Sequence, residues 1–251
     1  MKKSDKLKVA IEAAKVGANI ALKYFDTDIE IEVKNDNSLV TIADKESEKE
    51  IEKYILSRYP KAKFVGEEFG GKINDDEFWI IDPIDGTRSF SRGVPEWCVM
   101  ISVSKNKKIV LSVVYFPFKD MLYYAEKGIG AFLNKKRIMV SKVNDIRKSY
   151  LGFGSIKYFK NIDKLFKVIE QSGGAKSFES TYQSCLIAEG KMDINIDAYG
   201  KLWDLAPVKL LIEEAGGKIT RFNGGEWSLE GSGAVMTNGI LHDEVISILN
   251  S

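Results

Sequence analysis

The chain has 251 residues, of which 44% are hydrophobic and 29% charged, so its composition fits a folded globular protein and excludes disordered, collagen-like and coiled-coil classes. This length suits one large domain or two small ones. The 37 basic and 36 acidic residues give a formal net charge of +1, which leaves no basic excess for nucleic-acid binding. No run of about 18 apolar residues exists, so we expect no membrane-spanning helix.

Cysteine and histidine are too few for several common mechanisms. The one histidine, His242, and the two cysteines, Cys98 and Cys185, lie far apart in sequence, which argues against a Cys/His zinc site. His242 opens the last predicted helix, where we expect an exposed residue and not the base of a serine hydrolase triad. Acid–base chemistry must then come from carboxylates, hydroxyls, lysines or a metal-bound water. The scattered cysteines and the lack of a targeting segment favour the cytoplasm.

Hydrophobic periodicity predicts the elements of the first third of the chain. Apolar residues spaced by three and four predict an amphipathic helix over 4–25, with Ser4 as N-cap, and a second helix over 43–58. Alternating residues over 29–34 predict an edge strand. The uninterrupted apolar run over 78–81 predicts a strand buried on both faces.

The middle of the chain is typical of an antiparallel meander. Strands are predicted over 97–104, 109–116 and 121–125, separated by short polar segments. Glycine and asparagine predict turns at 128–130 and 134–136.

The second half mixes short strands with helices, and a soft boundary near 141–149 precedes it. Helices are predicted over 161–171, 181–188, 203–215 and 242–249. Strands are predicted over 150–153, 192–197, 218–221 and 234–237. Together with the meander, this order predicts an α+β protein made of stacked helix and sheet layers.

The most informative segment is Asp82-Pro83-Ile84-Asp85-Gly86-Thr87, which follows the buried strand directly. Pro83 fixes one backbone dihedral and Gly86 permits a sharp turn, so both aspartates and the Ile84 carbonyl can point to one place. Hard cations such as Mg²⁺ prefer such an oxygen-rich set. A helix starting at Gly86 would add free N–H groups suited to phosphate. The alternative is that the two aspartates only cap a turn and a helix.

Other carboxylates stand at the predicted ends of separate elements. Glu67 and Glu68 end a short strand that begins at Phe64-Val65, before the buried strand. Asp204 begins a later helix, and Asp44 lies near the start of an earlier one. Each of them alone is typical of a solvated surface residue or a helix cap. A set of carboxylates at several element ends favours a shared metal site.

These motifs resemble the inositol monophosphatase family, within the magnesium-dependent, lithium-sensitive phosphatase superfamily. The matching segments are Leu39-Val-Thr-Ile-Ala-Asp44, Gly66-Glu67-Glu68, Trp79-Ile-Ile-Asp82-Pro-Ile-Asp85-Gly-Thr87, Glu126-Lys-Gly-Ile-Gly-Ala131 with Asn134, Trp203-Asp204-Leu-Ala-Pro207 and Glu213-Glu-Ala-Gly-Gly217. The resemblance implies a five-layer α-β-α-β-α sandwich of the inositol monophosphatase and fructose bisphosphatase type. It implies one unit over 1–251, with metal motifs in 1–146 and substrate residues in 147–251, and a homodimer.

The resemblance also implies metal-assisted hydrolysis of a phosphate monoester. Glu67, Asp82, the Ile84 carbonyl, Asp85 and Asp204 would hold two or three Mg²⁺ ions. Glu67 and Thr87 would orient and activate the attacking water, and Asp44 would support Thr87. The backbone N–H groups of Gly86 and Thr87 would hold the phosphate.

The substrate side of the resemblance is less regular. Asp197 takes the place of an acid that binds a substrate hydroxyl, and Ser180 and Arg88 are further candidate substrate residues. Arg88-Ser89 is similar to the histidinol-phosphate phosphatase branch, whereas Lys201-Leu-Trp-Asp204 is similar to the inositol branch.

We therefore expect a phosphatase for a small polyol or sugar phosphate, with inositol 1-phosphate first and histidinol phosphate second. Fructose 1,6-bisphosphate and 3′-phosphoadenosine 5′-phosphate are less favoured substrates. A silent regulatory or scaffold protein is a further alternative, which the intact ligand set argues against. We expect neither nucleic acid nor membrane as partner.

Overall fold

The computed structural model describes residues 3–73, 76–178 and 181–251. Within them the α-helices, in chain order, are α1 (Asp5–Ala21), α2 (Ile42–Leu56), α3 (Thr87–Phe90), α4 (Ile162–Gln171), α5 (Tyr182–Ala188), α6 (Leu202–Glu214) and α7 (His242–Asn250). The strands are β1 (Ile31–Val33), β2 (Leu39–Thr41), β3 (Phe64–Gly66), β4 (Gly70–Gly71), β5 (Phe78–Asp85), β6 (Cys98–Lys105), β7 (Lys108–Phe116), β8 (Met121–Glu126), β9 (Gly130–Leu133), β10 (Lys136–Ile138), β11 (Tyr150–Phe153), β12 (Gly174–Ala175), β13 (Ile194–Asp197), β14 (Lys218–Thr220) and β15 (Ala234–Thr237). Single 3₁₀ turns cover Pro117–Lys119, Ile146–Lys148 and Ile156–Tyr158.

Helix layers and sheet layers alternate through the molecule. Helices α1 and α2 cover one face of an eight-stranded sheet, and α5 and α6 separate that sheet from a five-stranded sheet. Helices α4 and α7 cover the outer face of the second sheet. The expected five-layer α-β-α-β-α sandwich is confirmed.

The strand order of the first sheet is β10-β9-β8-β7-β6-β5-β3-β4, and that of the second is β12-β11-β13-β15-β14. Neighbouring strands from β5 to β10 are antiparallel, which confirms the meander, while β3 and β5 are parallel. Turns predicted at Gly128 and Asn134 do have positive φ angles, of 77° and 56°. The strands β9 and β10 beside them were not predicted.

Strand β5 is longer than the apolar run that predicted it. Phe78 and Ile80 pack into the core shared with α6, and Trp79 and Ile81 pack into the core under α1. Burial on both faces explains why the run does not alternate. The strand continues to Asp85, with a register shift between Asp82 and Asp85. Such an irregularity changes the direction of side chains at the end of a strand.

Side chains cap the starts of α1 and α2, and Ser4 was predicted as the first of these caps. The Ser4 hydroxyl accepts the Leu7 N–H at 3.1 Å at the start of α1. Thr41 and Asp44 form a reciprocal capping box at the start of α2. Among the described residues, no helix combines the length and apolar character that a membrane crossing requires.

The prediction that His242 is exposed was wrong, although the helix does begin there. Its side chain is buried, with a residue exposure of 1%. Its Nε2 lies 2.9 Å from the Thr220 hydroxyl and its Nδ1 lies 3.0 Å from the Thr237 hydroxyl. Burial lowers the pKa of His242 to about 4. The imidazole is therefore a neutral core residue that joins α7 to β14 and β15.

This burial predicts an acid-sensitive contribution to stability. Because the folded pKa is below the ordinary 6.5, the contribution is complete above that value and is lost as pH falls toward about 4. Over this interval the loss amounts to about 3 kcal/mol at most. We expect His242→Gln to lower the free energy of unfolding at pH 7, as measured by urea denaturation. At pH 4.5 the free energies of unfolding of the variant and the wild type should lie closer together. A difference that stays constant across this pH range would contradict the assignment.

Candidate active site

Three aspartates from two elements meet between the two sheets. Asp82 and Asp85 stand at the end of β5, and Asp204 stands in the first turn of α6. One carboxylate oxygen from each lies within 4.8 Å of the others. Residues that are more than a hundred positions apart in sequence thus form one acidic cluster.

A backbone N–H group orients each of these aspartates. Asp82 accepts the Ile84 N–H at 3.1 Å, Asp85 accepts the Thr181 N–H at 2.7 Å, and Asp204 accepts the Lys201 N–H at 2.8 Å. Each bond involves one carboxylate oxygen, so the other oxygen keeps its lone pairs for a further ligand. Local turns therefore orient Asp82 and Asp204, and the residue that precedes α5 orients Asp85.

Burial and mutual repulsion make this cluster electrostatically unfavourable. Burial raises the pKa values of Asp82 and Asp204 well above the ordinary value, and the neighbouring carboxylates raise them further. Burial also raises the pKa of Asp85 to about 6. Carboxylate oxygens held this close together fit a hard divalent cation, which prefers oxygen ligands.

Thr87 lies beside the cluster, at the start of the short helix α3. Its Oγ1 is 3.1 Å from Asp44 Oδ1 and 3.1 Å from the Ile84 carbonyl oxygen. Gly86 precedes it with a φ of 92°, a conformation that favours glycine. The hydroxyl has one hydrogen to donate to either acceptor, and its own lone pairs remain open to the cleft.

Asp44 is fixed more firmly than a simple helix cap. The Thr41 N–H and hydroxyl both donate to its Oδ2, at 2.8 and 2.6 Å. Burial raises the pKa of Asp44 to about 6, although these bonds oppose the rise. Asp44 can therefore accept the Thr87 hydrogen from a defined direction.

Glu67 follows β3, lines the same cleft as the cluster and forms an ion pair with Lys34. Lys34 Nζ lies 3.2 Å from Glu67 Oε1 and 2.8 Å from a Glu68 oxygen. Burial raises the pKa of Glu68 to about 7, and the charge of Glu67 also raises it. Sequence patterns did not single out Lys34, because a lysine in a polar hairpin has no distinctive spacing.

The acidic cluster opens into a cleft with a cavity volume of about 710 Å³. This size is typical of a site for a small molecule. The candidate residues that line it are Glu67, Asp82, Ile84, Asp85, Gly86, Thr87, Arg88, Asp197 and Asp204. Asp44 contacts it through Thr87. Ser180 lies outside the described residues.

Asp197 and Arg88 lie on the cleft walls. Asp197 Oδ1 accepts the N–H groups of Tyr199 and Gly200, at 2.9 and 3.0 Å. This leaves Asp197 Oδ2 as its second acceptor for a ligand. Arg88 is exposed on α3. The stacked rings of Tyr158 and Tyr199, 4.0 Å apart, provide an aromatic part of the same wall.

Two further residues that contact the site were not identified from sequence. Cys98 begins β6, the strand next to β5, and its thiol lies 3.7 Å from Asp85 Oδ2. Glu48 accepts backbone N–H groups beside Glu67. The spacing of four residues from Asp44 to Glu48 on a helix was a usable signal, since it places both on one face.

Comparisons with known proteins agree with this geometry. Residues 2–251 match the model of the inositol monophosphatase family. The chain is 32% identical to a histidinol-phosphatase of Mycobacterium tuberculosis, over 92% of each chain. It is 34% identical to inositol monophosphatase 3 of Solanum lycopersicum, over 97% of this chain and 96% of the relative.

A solved structure of a Thermotoga maritima IMPase superposes with a TM-score of 0.92 at 27% identity, covering 98% of this chain and 97% of that one. Family, fold and acidic cluster all indicate a phosphoric monoester hydrolase. The chain belongs to the inositol monophosphatase family.

Proposed function

We propose that this phosphatase is magnesium-dependent and hydrolyses a small polyol or sugar monophosphate, with inositol 1-phosphate as the first candidate. The observation that carries the proposal is the cluster of buried Asp82 with half-buried Asp85 and Asp204, which shares one cleft with Thr87 and Asp197. Its oxygen-only donor set is the chemistry that Mg²⁺ requires.

Glu67, Asp82, Asp85 and Asp204, together with the Ile84 carbonyl, would hold two or three Mg²⁺ ions. Bound Mg²⁺ supplies positive charge that neutralises the phosphoryl oxygens and lowers the pKa of a water. The raised pKa values of the aspartates support this assignment, because divalent cations stabilise ionised carboxylates that burial and mutual repulsion disfavour.

The residues around the cluster orient the reactants. In this proposal Thr87 and Glu67 hold the attacking water, and Thr87 passes its own hydrogen toward Asp44, which lies 3.1 Å away. The N–H groups of Gly86 and Thr87 hold the phosphate. Fixed donors and acceptors of this kind lower the cost of bringing water and phosphate together.

The alcohol part of the substrate would contact Asp197, Ser180 and Arg88. Asp197 supports a polyol because its second oxygen can accept a hydrogen bond from a substrate hydroxyl. The homodimer that the resemblance implies and the cytoplasmic location that the scattered cysteines favour remain predictions.

Histidinol phosphate is a second candidate substrate. The stacked rings of Tyr158 and Tyr199 offer a flat surface to an imidazole, and Asp197 could pair with the substrate ammonium. The similarity to a histidinol-phosphatase also supports this candidate.

The proposed role of Thr87 predicts a specific kinetic defect in Thr87→Ala. Loss of the water-orienting hydroxyl should act in the transition state, so we expect kcat to fall by roughly 10²–10⁴ with little change in KM. Steady-state assays at saturating Mg²⁺ measure both constants, and Thr87→Ser is the matched control because it keeps the hydroxyl. A variant that changed only KM would assign Thr87 to substrate binding instead.

A panel of phosphate esters tests the substrate. Wild-type protein should release phosphate from inositol 1-phosphate faster than from histidinol phosphate, and only with Mg²⁺. In Asp197→Asn the neutral amide still accepts a hydroxyl hydrogen bond, so we expect a loss of about 1 kcal/mol or less in kcat/KM on the polyol. On histidinol phosphate, whose ammonium group would lose its ion pair, the same substitution should lower kcat/KM by the equivalent of roughly 2–3 kcal/mol. If the wild type prefers histidinol phosphate and Asp197→Asn abolishes that preference, histidinol phosphate would replace inositol 1-phosphate as the first candidate.

A further inference from the structure

We infer that Glu48 is a positioning residue that fixes the turn carrying Glu67, and through it the affinity of the site for Mg²⁺. This inference rests on the proposed magnesium-dependent function. Glu48 lies on α2 and has no exposed surface. Its Oε2 accepts the Glu68 N–H at 2.9 Å, and its Oε1 accepts the Phe69 N–H at 3.0 Å. These are the two backbone groups that follow Glu67 directly.

The Glu67 N–H has a different partner, the Ile81 carbonyl oxygen, at 3.1 Å. Three successive N–H groups of the turn are therefore bound, one by β5 and two by Glu48. Ile81 is the residue before Asp82, so the turn is aligned with the acidic cluster itself. Each of the two Glu48 oxygens thus holds one backbone group of this turn.

The residue before the turn confirms how closely Glu48 approaches. A Cβ atom placed on Gly66 would lie 1.8 Å from Glu48 Oε1. The φ angle of Gly66 lies outside the left-handed region, so the backbone alone does not require glycine here. Glycine is required because a side chain would occupy the space of the Glu48 carboxylate.

Asp44 and Glu48 are one helical turn apart on the same face of α2. Asp44 contacts the Thr87 hydroxyl, and Glu48 contacts the turn of Glu67. One helix thus supports two residues that we propose to act on the attacking water. Helix α2 is itself tied to α1 by the Ser47 hydroxyl, which donates to the Gly17 carbonyl at 3.0 Å.

The test compares Glu48→Gln with wild type by calorimetric Mg²⁺ titration, steady-state kinetics and thermal unfolding. Glutamine can accept only one of the two N–H groups and places its own NH₂ against the other. Partners that orient metal ligands typically contribute about 10–100-fold to metal affinity or activity. We expect Mg²⁺ affinity and kcat to fall by about 10-fold or more, while the substrate KM changes by less than about twofold.

Glu52→Gln is the matched control. Glu52 lies one further turn along α2, is partly buried, and makes no side-chain hydrogen bond with the described part of the chain. We expect Glu52→Gln to bind Mg²⁺ as wild type does. A Glu48→Gln protein that loses thermal stability but keeps wild-type Mg²⁺ affinity and kcat would overturn the inference, because the role would then be structural only.

Gly66→Ala provides a second, independent route to the same defect. Its methyl group should displace the Glu48 carboxylate and reproduce the loss of Mg²⁺ affinity. The double variant Gly66→Ala/Glu48→Gln should then be no worse than the poorer single variant, and additive losses would contradict the inference. Wild-type protein that binds no Mg²⁺ would instead refute the proposed function on which the inference rests.

Discussion

Repulsion between buried carboxylates is the constraint on which this structure depends. Buried Asp82 and half-buried Asp85 and Asp204 bring oxygens within 4.8 Å of one another at the bottom of the cleft. Burial disfavours the ionised state of each group and raises its pKa, and the neighbouring carboxylates raise it further. A fold that maintains such a cluster loses stability, and bound cations restore it.

The five layers hold the cluster together against that repulsion. Strand β5 supplies two of the aspartates from the interior of the first sheet, and α6 supplies the third from the middle layer. A single apolar core packs β5 against α6. Helix α2 contributes from the opposite face of the sheet, where Asp44 and Glu48 contact the elements that carry Thr87 and Glu67. Separation of the layers would therefore disperse the site.

The sequence predicts the parts of the site that follow from local rules. The apolar run before Asp82 and Asp85 predicts that both carboxylates stand at the end of a buried strand. The helical pattern that begins at Trp203 predicts that Asp204 lies in the first turn of a helix. Tertiary contacts decide the rest. The pairing of Lys34 with Glu67 depends on where a hairpin packs. His242 was expected to be exposed because a helix start usually is, and only the packing of α7 on the second sheet buries it.

The central claim is that cations offset the repulsion of the buried carboxylates, and the effect of Mg²⁺ on thermal stability at two pH values tests it most directly. Without metal, carboxyl groups with raised folded pKa values contribute stability below about pH 4 that is lost as pH rises through about 6 to 7. In the proposed function Mg²⁺ would bind the deprotonated groups, so its binding should be favoured at higher pH. Chelator-treated protein should therefore gain several degrees in unfolding midpoint on addition of millimolar Mg²⁺ at pH 8, and much less at pH 5, while Asp82→Asn should lose most of the gain. An equal shift at both pH values, or no shift at pH 8, would contradict the account.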